Sequence, residues 1–324
     1  MITYEEAFDI MMESARTLDA ECVPLAEALH RILAADVRSD VDMPPFNKSA
    51  MDGYACRRAD LQDRLRVVET IKAGETPRCT VGPGECAKIM TGAPVPDGAD
   101  CVVMVEHTAT GAEDTVRVVR ASDRDNICQQ GEDVRVGDVV LRQGDWIAPQ
   151  HVGVLAAVGG TEPRVARRPR VAVLATGDEL VEPGQHPAPG QIRTSNSAQL
   201  CAHVAAAGAV PTYYGIVRDT EEDTDAALRK ALDANDVVLL SGGVSMGDFD
   251  FVPGVMRENG LEIRFDSIAM QPGRPTTFAV GAQTGTGLSR SGNASEAGSV
   301  PGISSRSLGG VPVWCIGLPG NPVS

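Results

Sequence analysis

The chain has 324 residues, of which 43% are hydrophobic and only 4% aromatic, and its formal net charge is −15. That length supports two or three cores built mainly from aliphatic side chains. The acidic balance excludes nucleic acid and anionic membrane as natural partners, because both require a basic face. The eight cysteines show no C-x-x-C pair and no metal-ligand spacing with histidine, so they read as reduced thiols filling cores. The polar opening of the chain carries no basic, apolar leader, and no run is long enough to span a membrane, so a soluble cytoplasmic protein is expected.

In chain order, Thr3 to Glu6 forms a T-x-x-E capping box, and Ala7, Ile10, Met11 and Ala15 follow at helical spacing. A second helix is predicted from near Pro24, with Leu25, Leu29, Ile32 and Leu33 on one face. The texture changes after Met43-Pro44-Pro45. From about Arg66 to Leu141, β-branched runs at Val67–Ile71, Cys101–Val105 and Val116–Val119 alternate with Gly, Pro and Asp turns, which predicts a small β-rich domain.

From Arg170 onward strands and helices alternate. Strands are predicted at Val171–Ala175, Thr212–Val217 and Val237–Leu240, and helices at Ser197–Ala207, Asp223–Ala234 and Phe251–Asn259. That alternation predicts a doubly wound α/β domain. Between Gly281 and Gly310 the chain is rich in Gly and Ser and keeps no hydrophobic period, which predicts a flexible insertion between two strands. The resulting organisation is a helical and linker region (1–43 with 142–168), a β-rich lobe (44–141) and an α/β domain (169–324) carrying the insertion at 281–310.

Two loops stand out in the α/β domain. Ser241-Gly242-Gly243-Val244-Ser245-Met246-Gly247-Asp248-Phe249-Asp250 follows the apolar run Val237–Leu240, and Gly317-Leu318-Pro319-Gly320-Asn321-Pro322-Val323-Ser324 follows Val313–Ile316. Glycine-rich loops at the carboxyl ends of parallel strands are where open α/β sheets bind ligands. Glycines let backbone N–H groups approach an anion, and a following helix N-terminus adds a favourable dipole. Two such loops point to a phosphate-bearing ligand. The candidate acids are Asp52, Asp133, Asp178-Glu179, Asp219, Asp248 and Asp250. Carboxylates without nearby histidine suit a hard cation, most naturally Mg²⁺ bridging substrate phosphates. Each acid alone is as readily a cap or turn residue; Asp219 and Asp250, each beyond the end of a parallel strand, weigh more. Ser245 offers a hydroxyl to an oxyanion but has no histidine partner that would make it a nucleophile.

An ordered set of phrases carries a family resemblance. It comprises Pro45-Phe46-Asn47-Lys48-Ser49-Ala50-Met51-Asp52-Gly53-Tyr54-Ala55, Ile89-Met90-Thr91-Gly92-Ala93, Ala99-Asp100 with Glu106, and Gly131-Glu132-Asp133. Thr176-Gly177-Asp178-Glu179-Leu180, the Ser241–Asp250 loop, Pro272-Gly273-Arg274-Pro275 and the terminal Gly-Leu-Pro-Gly-Asn-Pro-Val-Ser continue it. Together these resemble the molybdopterin molybdenumtransferases, that is, the bacterial MoeA-type enzymes and the gephyrin E domain.

The resemblance implies molybdenum cofactor biosynthesis: insertion of molybdate into adenylylated molybdopterin, release of AMP, and help from Mg²⁺. It implies a homodimer, with a molybdopterin adenylyltransferase as a further partner. Thr176, Gly177, Ser241, Gly242, Gly243, Ser245, Gly247, Arg274, Pro319, Gly320 and Asn321 would contact substrate, with Ser245 and Arg274 facing phosphate or molybdate. Asp219 and Asp250 would hold Mg²⁺. Asp52, Asp133, Glu179 and Asp250 would be catalytic, Glu179 on the pterin side and Asp52 and Asp133 on a lobe that reaches the partner subunit's site.

Three departures from the family pattern matter. Ser267, Gln271 and Arg274 stand where the family often has lysines, and Cys128 stands where it usually has arginine; Arg is not a simple stand-in for Lys at an oxyanion site. The family's C-terminal β domain has no counterpart up to Ser324. Beside the enzyme, the sequence therefore supports a non-catalytic molybdopterin-binding or scaffold protein, while an adenylyltransferase fits less well because that fold does not need the β-rich lobe.

Overall fold

The computed structural model describes residues 1–112, 114–120, 123–243, 251–282 and 312–320. The chain divides into two compact units, Cys22–Val165 and Met1–Glu21 with Ala166–Ser324. Helix α1 (Tyr4–Ser14) opens the second of these, and its capping box forms as the sequence predicts. The Thr3 hydroxyl accepts from the Glu6 N–H at 3.1 Å, and the Glu6 carboxylate accepts from the Thr3 N–H at 2.8 Å.

In the Cys22–Val165 unit, the helix predicted from Pro24 forms only a single 3₁₀ turn, Leu25–Glu27. His30 takes a left-handed φ of +63°, and Ile32 and Leu33 bridge in extended fashion to Trp146 and Val165. Leu33 is buried while Leu29 and Ile32 are exposed, so the apolar spacing belongs to a bridged, irregular segment and not to a helical face.

The strands predicted by the β-branched runs do form. They are β2 (Arg64–Ile71), β4 (Cys101–Met104) and β6 (Thr115–Val118), and three strands the sequence reading did not name join them, β1 (Gly53–Cys56), β3 (Glu85–Ile89) and β5 (Thr108–Thr110). The sheet order is β4-β1-β3-β2-β6-β5, antiparallel throughout except for the β2–β3 pair. Successive residues bury opposite faces: Tyr54, Cys56, Cys101 and Val103 on one, Ala55 and Val102 on the other. Burial on both faces explains why β1 and β4 are apolar and not alternating. Helix α2 (Pro149–Ala157) places Leu155 in a separate core with Val23, Leu33, Leu141, Ile147 and Val165.

The other unit continues with β7 (Arg170–Thr176), α3 (Asn196–Ala206), β8 (Val210–Val217), α4 (Glu221–Ala234), β9 (Val237–Ser241) and α5 (Val252–Glu258). It ends with β10 (Glu262–Phe265), β11 (Thr277–Ala282) and β12 (Pro312–Leu318). The sheet order is β8-β7-β9-β12-β11-β10, with the first four strands parallel and the last two antiparallel. β10 and β11 are additions to the parallel sheet that the sequence predicts. Gly281 and Ala282, expected at the start of the Gly/Ser-rich insertion, instead pair with Val313 and Pro312; the rest of that expectation lies outside the described residues.

Both faces of this sheet are covered. Leu174, Leu240, Val313 and Cys315 pack against Leu228 and Leu232 of α4 and Val255 and Met256 of α5. On the opposite face Phe278, Trp314 and Ile316 meet Ala7, Ile10 and Met11 of α1. Each fully buried large side chain here contributes about 1.5–3 kcal/mol. At the amino ends of β7 and β9, Asp236 is only 5% exposed and accepts both Arg167 guanidinium N–H groups, at 2.7 and 2.8 Å, and the Arg170 N–H at 2.7 Å. All eight cysteines are free, with Cys56, Cys86, Cys101 and Cys315 buried. Among the described residues, no helix is long and apolar enough to cross a membrane.

Candidate active site at the carboxyl edge of the parallel sheet

Three parallel strands, β7, β9 and β12, end side by side in Thr176-Gly177, Ser241-Gly242-Gly243 and Leu318-Pro319-Gly320. The Gly242 N–H donates to the Leu318 carbonyl at 2.9 Å, extending the β9–β12 pairing into the loops. Gly242 has φ +102°, and a Cβ there would lie 2.5 Å from the Thr176 carbonyl oxygen and 2.6 Å from its hydroxyl. Gly320 approaches so closely that its own Cβ would come within 3.4 Å of the Gly242 Cα. Glycine at 242 is therefore required twice over, by backbone sign and by space.

Gly177 has φ +148°, and a Cβ there would lie 2.6 Å from Glu179 Oε2, so the bare backbone makes room for that carboxylate. Glu179 shares a cavity of about 50 Å³ with Thr176, Thr194, Ser195, Asn196, Ser241 and Gly320. Two features give this cavity its chemistry. The Asn196 amide nitrogen, at the first turn of α3, donates to Ser241 Oγ at 2.7 Å and to the Gly320 carbonyl at 2.9 Å. Among the described residues, the buried Thr176 hydroxyl has no hydrogen-bond partner. A buried hydroxyl left unpaired costs about 1–3 kcal/mol, which a ligand atom recovers.

The acids sort differently. Asp219 lies just past β8, and its N–H donates to Asp178 Oδ1 at 3.4 Å, so two carboxylate-bearing loops adjoin. Among the described residues no three His, Cys, Asp or Glu side chains group closely enough to enclose a metal ion. Arg274 does not line the Thr176–Ser241 cavity; with Met1, Ile268, Ala269, Met270 and Gln271 it lines a separate opening of about 470 Å³. The Ser267 hydroxyl donates to Asp266 at 3.2 Å. Ser245, Gly247, Asp248, Asp250 and Asn321 lie outside the described residues.

Asp52 and Asp133 belong to the Cys22–Val165 unit. The Asp52 carboxylate accepts the Thr91 N–H and the Thr91 hydroxyl, both at 2.7 Å. The backbone bond first, and the hydroxyl bond second, hold its carboxyl below the usual range. Two phrases far apart in sequence, Met51-Asp52-Gly53 and Met90-Thr91-Gly92, thus meet. Asp133 lines an open cleft of about 760 Å³ with Met43, Asp138, Arg142 and Gln150. Cys128, where the family usually has arginine, pairs across strands with Lys48. Burial, then a hydrogen bond with Glu132, push its thiol pKa up, while Lys48 pulls the other way.

Sequence reasoning passed over Asn196. The polar run Thr194-Ser195-Asn196-Ser197 before an apolar helix reads as a helix start, which it is, and no sequence signal marks a second role.

Residues 2–159 match the family described as MoeA N-terminal region (domain I and II), and residues 172–324 match the probable molybdopterin binding domain. A molybdopterin molybdenumtransferase of Bacillus subtilis is 36% identical over 289 residues, covering 86% of this chain and 67% of that protein. One from Staphylococcus epidermidis is 38% identical over 287 residues, covering 86% and 68%. A crystal structure of the molybdopterin biosynthesis MoeA protein from Pyrococcus horikoshii superposes with a TM-score of 0.79 at 31% identity, covering 100% of this chain and 76% of that one. Shared sequence over most of its length, and a shared fold over all of it, make this chain a member of the molybdopterin molybdenumtransferase family of molybdenum cofactor biosynthesis enzymes.

Proposed function

We propose that this chain inserts molybdate into adenylylated molybdopterin and releases AMP in a Mg²⁺-dependent reaction at the carboxyl edge of the parallel sheet. The observation that carries the reading is the convergence of Thr176, Ser241, Gly242 and Gly320 around an unpaired buried hydroxyl. Glycine backbone at the ends of β9 and β12 admits the nucleotide closely, and Glu179 supplies an acceptor for heterocycle N–H groups. Mg²⁺ commonly takes one or two carboxylates and completes its shell with water and phosphate oxygens, and the adjoining Asp178 and Asp219 fit that donor set. Asp250 is proposed as a further ligand. The ion, when bound, would neutralise phosphate charge as the phosphoanhydride opens.

Cleavage adds one water across the anhydride, so the P–O bond breaks and AMP leaves. The chain's acids would orient that water and hold its proton. A molybdopterin adenylyltransferase is the proposed source of substrate, and a second copy of the chain the proposed source of Asp52 and Asp133 at each site. The non-catalytic reading is favoured by one observation: Ser267 bonds to Asp266 and Arg274 lines a different opening, so neither of these positions brings a cation to the Thr176–Ser241 cavity, where the basic lining residue is Arg193, its Nε–H donated to the Gln185 carbonyl at 2.9 Å.

The test is AMP release from adenylylated molybdopterin by the purified chain, with molybdate or Mg²⁺ omitted in turn. The enzyme reading expects release only with both present, and partial recovery when inactive Asp52→Ala and Asp219→Asn variants are mixed. Tight pterin binding with no AMP release under any condition establishes the scaffold reading instead.

A further inference from the structure

We propose that Asn196 is a positioning residue: by donating to Ser241 Oγ it fixes that hydroxyl as a hydrogen-bond donor to a carbonyl oxygen on the edge of the bound pterin. The inference rests on the proposal that this edge of the sheet binds the pterin nucleotide.

Donor and acceptor counts set the direction of these bonds. An amide NH₂ has two protons and accepts nothing, whereas a hydroxyl has one proton and two lone pairs. Both Asn196 protons are used, one on Ser241 Oγ at 2.7 Å and one on the Gly320 carbonyl at 2.9 Å. Ser241 must therefore act as acceptor in this bond, which leaves its own proton to be donated elsewhere. Ser241 is 3% exposed and lines the cavity, and among the described residues no acceptor takes that proton, so an atom of a bound ligand can accept it. The unpaired Thr176 hydroxyl, on a residue 6% exposed, adds a second group in the same lining that awaits a ligand atom.

The lining also decides which part of the ligand sits here. Two charged side chains line the cavity: Arg193, which is exposed and donates its Nε–H to the Gln185 carbonyl at 2.9 Å, and Glu179, whose carboxylate accepts from the N–H groups of a heterocyclic amide. One acceptor beside a fixed donor matches the N–H and C=O pattern of a pterin ring edge. Because Asn196 binds Ser241 and Gly320 with the same NH₂, it also locks the ends of β9 and β12 together, and the donor is held on a rigid frame.

The test compares Asn196→Ala, Asn196→Asp, Ser241→Ala and the Asn196→Ala/Ser241→Ala double variant, in the full chain, by molybdopterin fluorescence titration and by AMP titration. Asn196→Asp keeps the shape but can only accept, so at neutral pH it draws the Ser241 proton to itself. The expected result is a loss of about tenfold in molybdopterin affinity for each single variant, Asn196→Asp included. The double variant is expected to lose no more than about threefold beyond Ser241→Ala, and AMP affinity to stay within about twofold throughout. Independent, multiplying losses for the two residues would overturn the proposal. So would a wild-type affinity in Asn196→Asp, or an equal loss for AMP, which would mean general loop distortion. Absence of molybdopterin binding by the unmodified chain would overturn the parent reading, and this one with it.

Discussion

Gly53→Ala is expected to destabilise the Cys22–Val165 unit by on the order of 3 kcal/mol or more. Gly53 opens β1, which runs between β3 and β4, and pairs with Met104 and Ile89. A Cβ at Gly53 would overlap the Val103 carbonyl oxygen, and that obstacle is backbone within the sheet, not a side chain that can rotate away. Relief requires β1 to separate from β4, which opens the pairing of Tyr54 with Val103 and the core that Tyr54, Cys56, Cys101 and Val103 share. The check is urea unfolding of wild type and variant, with Gly74→Ala as comparator. Gly74 has φ +86° but nothing within 4 Å of an added Cβ, so that substitution carries only the conformational cost, about 1 kcal/mol. Equal effects at the two sites would show that the sheet yields at Gly53.

Arg167→Ala is expected to cost about 3 kcal/mol near neutral pH, because it removes both guanidinium hydrogen bonds from a buried carboxylate that then keeps only the Arg170 N–H and, at 3.6 Å, the Arg170 guanidinium. Burial alone would push the Asp236 carboxyl pKa up; the bonds from the Arg167 side chain and the Arg170 N–H, with the charges of both arginines, outweigh it and hold the pKa below the ordinary value of 3.8. A carboxyl depressed in the folded state contributes stability above its unfolded pKa and loses it as pH falls through the folded value. In the wild type that contribution is therefore complete near neutrality and fades only below about pH 4. Without Arg167 the balance shifts toward the burial cost. The gap between variant and wild type should be widest at pH 7 and narrow on acidification as Asp236 is protonated. Chemical unfolding at several pH values measures this. A gap that is constant with pH would assign the loss to packing alone.

Much of the α/β unit was legible because its physics is local. β7, β9 and β12 are short apolar runs that end in glycine, and a strand buried on both faces has little choice but to look that way. The glycine loops were legible for the same reason, since positive φ at Gly242 and Gly243 excludes most other residues. The segment after Pro24 was misread because Leu25, Leu29, Ile32 and Leu33 mimic helical spacing; bridges to Trp146 and Val165, distant in sequence, decide its conformation. β10 and β11 escaped notice because Glu262–Phe265 mixes charge with apolar residues and gains its place by pairing. Asn196 looked like a helix start, and only tertiary contact with Ser241 and Gly320 gives it a second role. Arg274 was grouped with the glycine loops by motif, and the fold lines it along another opening.

The central claim is that the carboxyl ends of β7, β9 and β12 hold the pterin nucleotide, and binding to wild type and Gly242→Ala tests it most directly. A Cβ at Gly242 would press on the Thr176 carbonyl and hydroxyl at 2.5 and 2.6 Å, inside the proposed cradle and away from the hydrophobic cores. Titration of adenylylated molybdopterin, followed by pterin fluorescence, should show saturable binding to wild type and to Gly74→Ala. Binding to Gly242→Ala should be at least about tenfold weaker, about 1.4 kcal/mol, with native-like circular dichroism retained. A folded Gly242→Ala protein that binds the nucleotide as tightly as wild type would contradict the account.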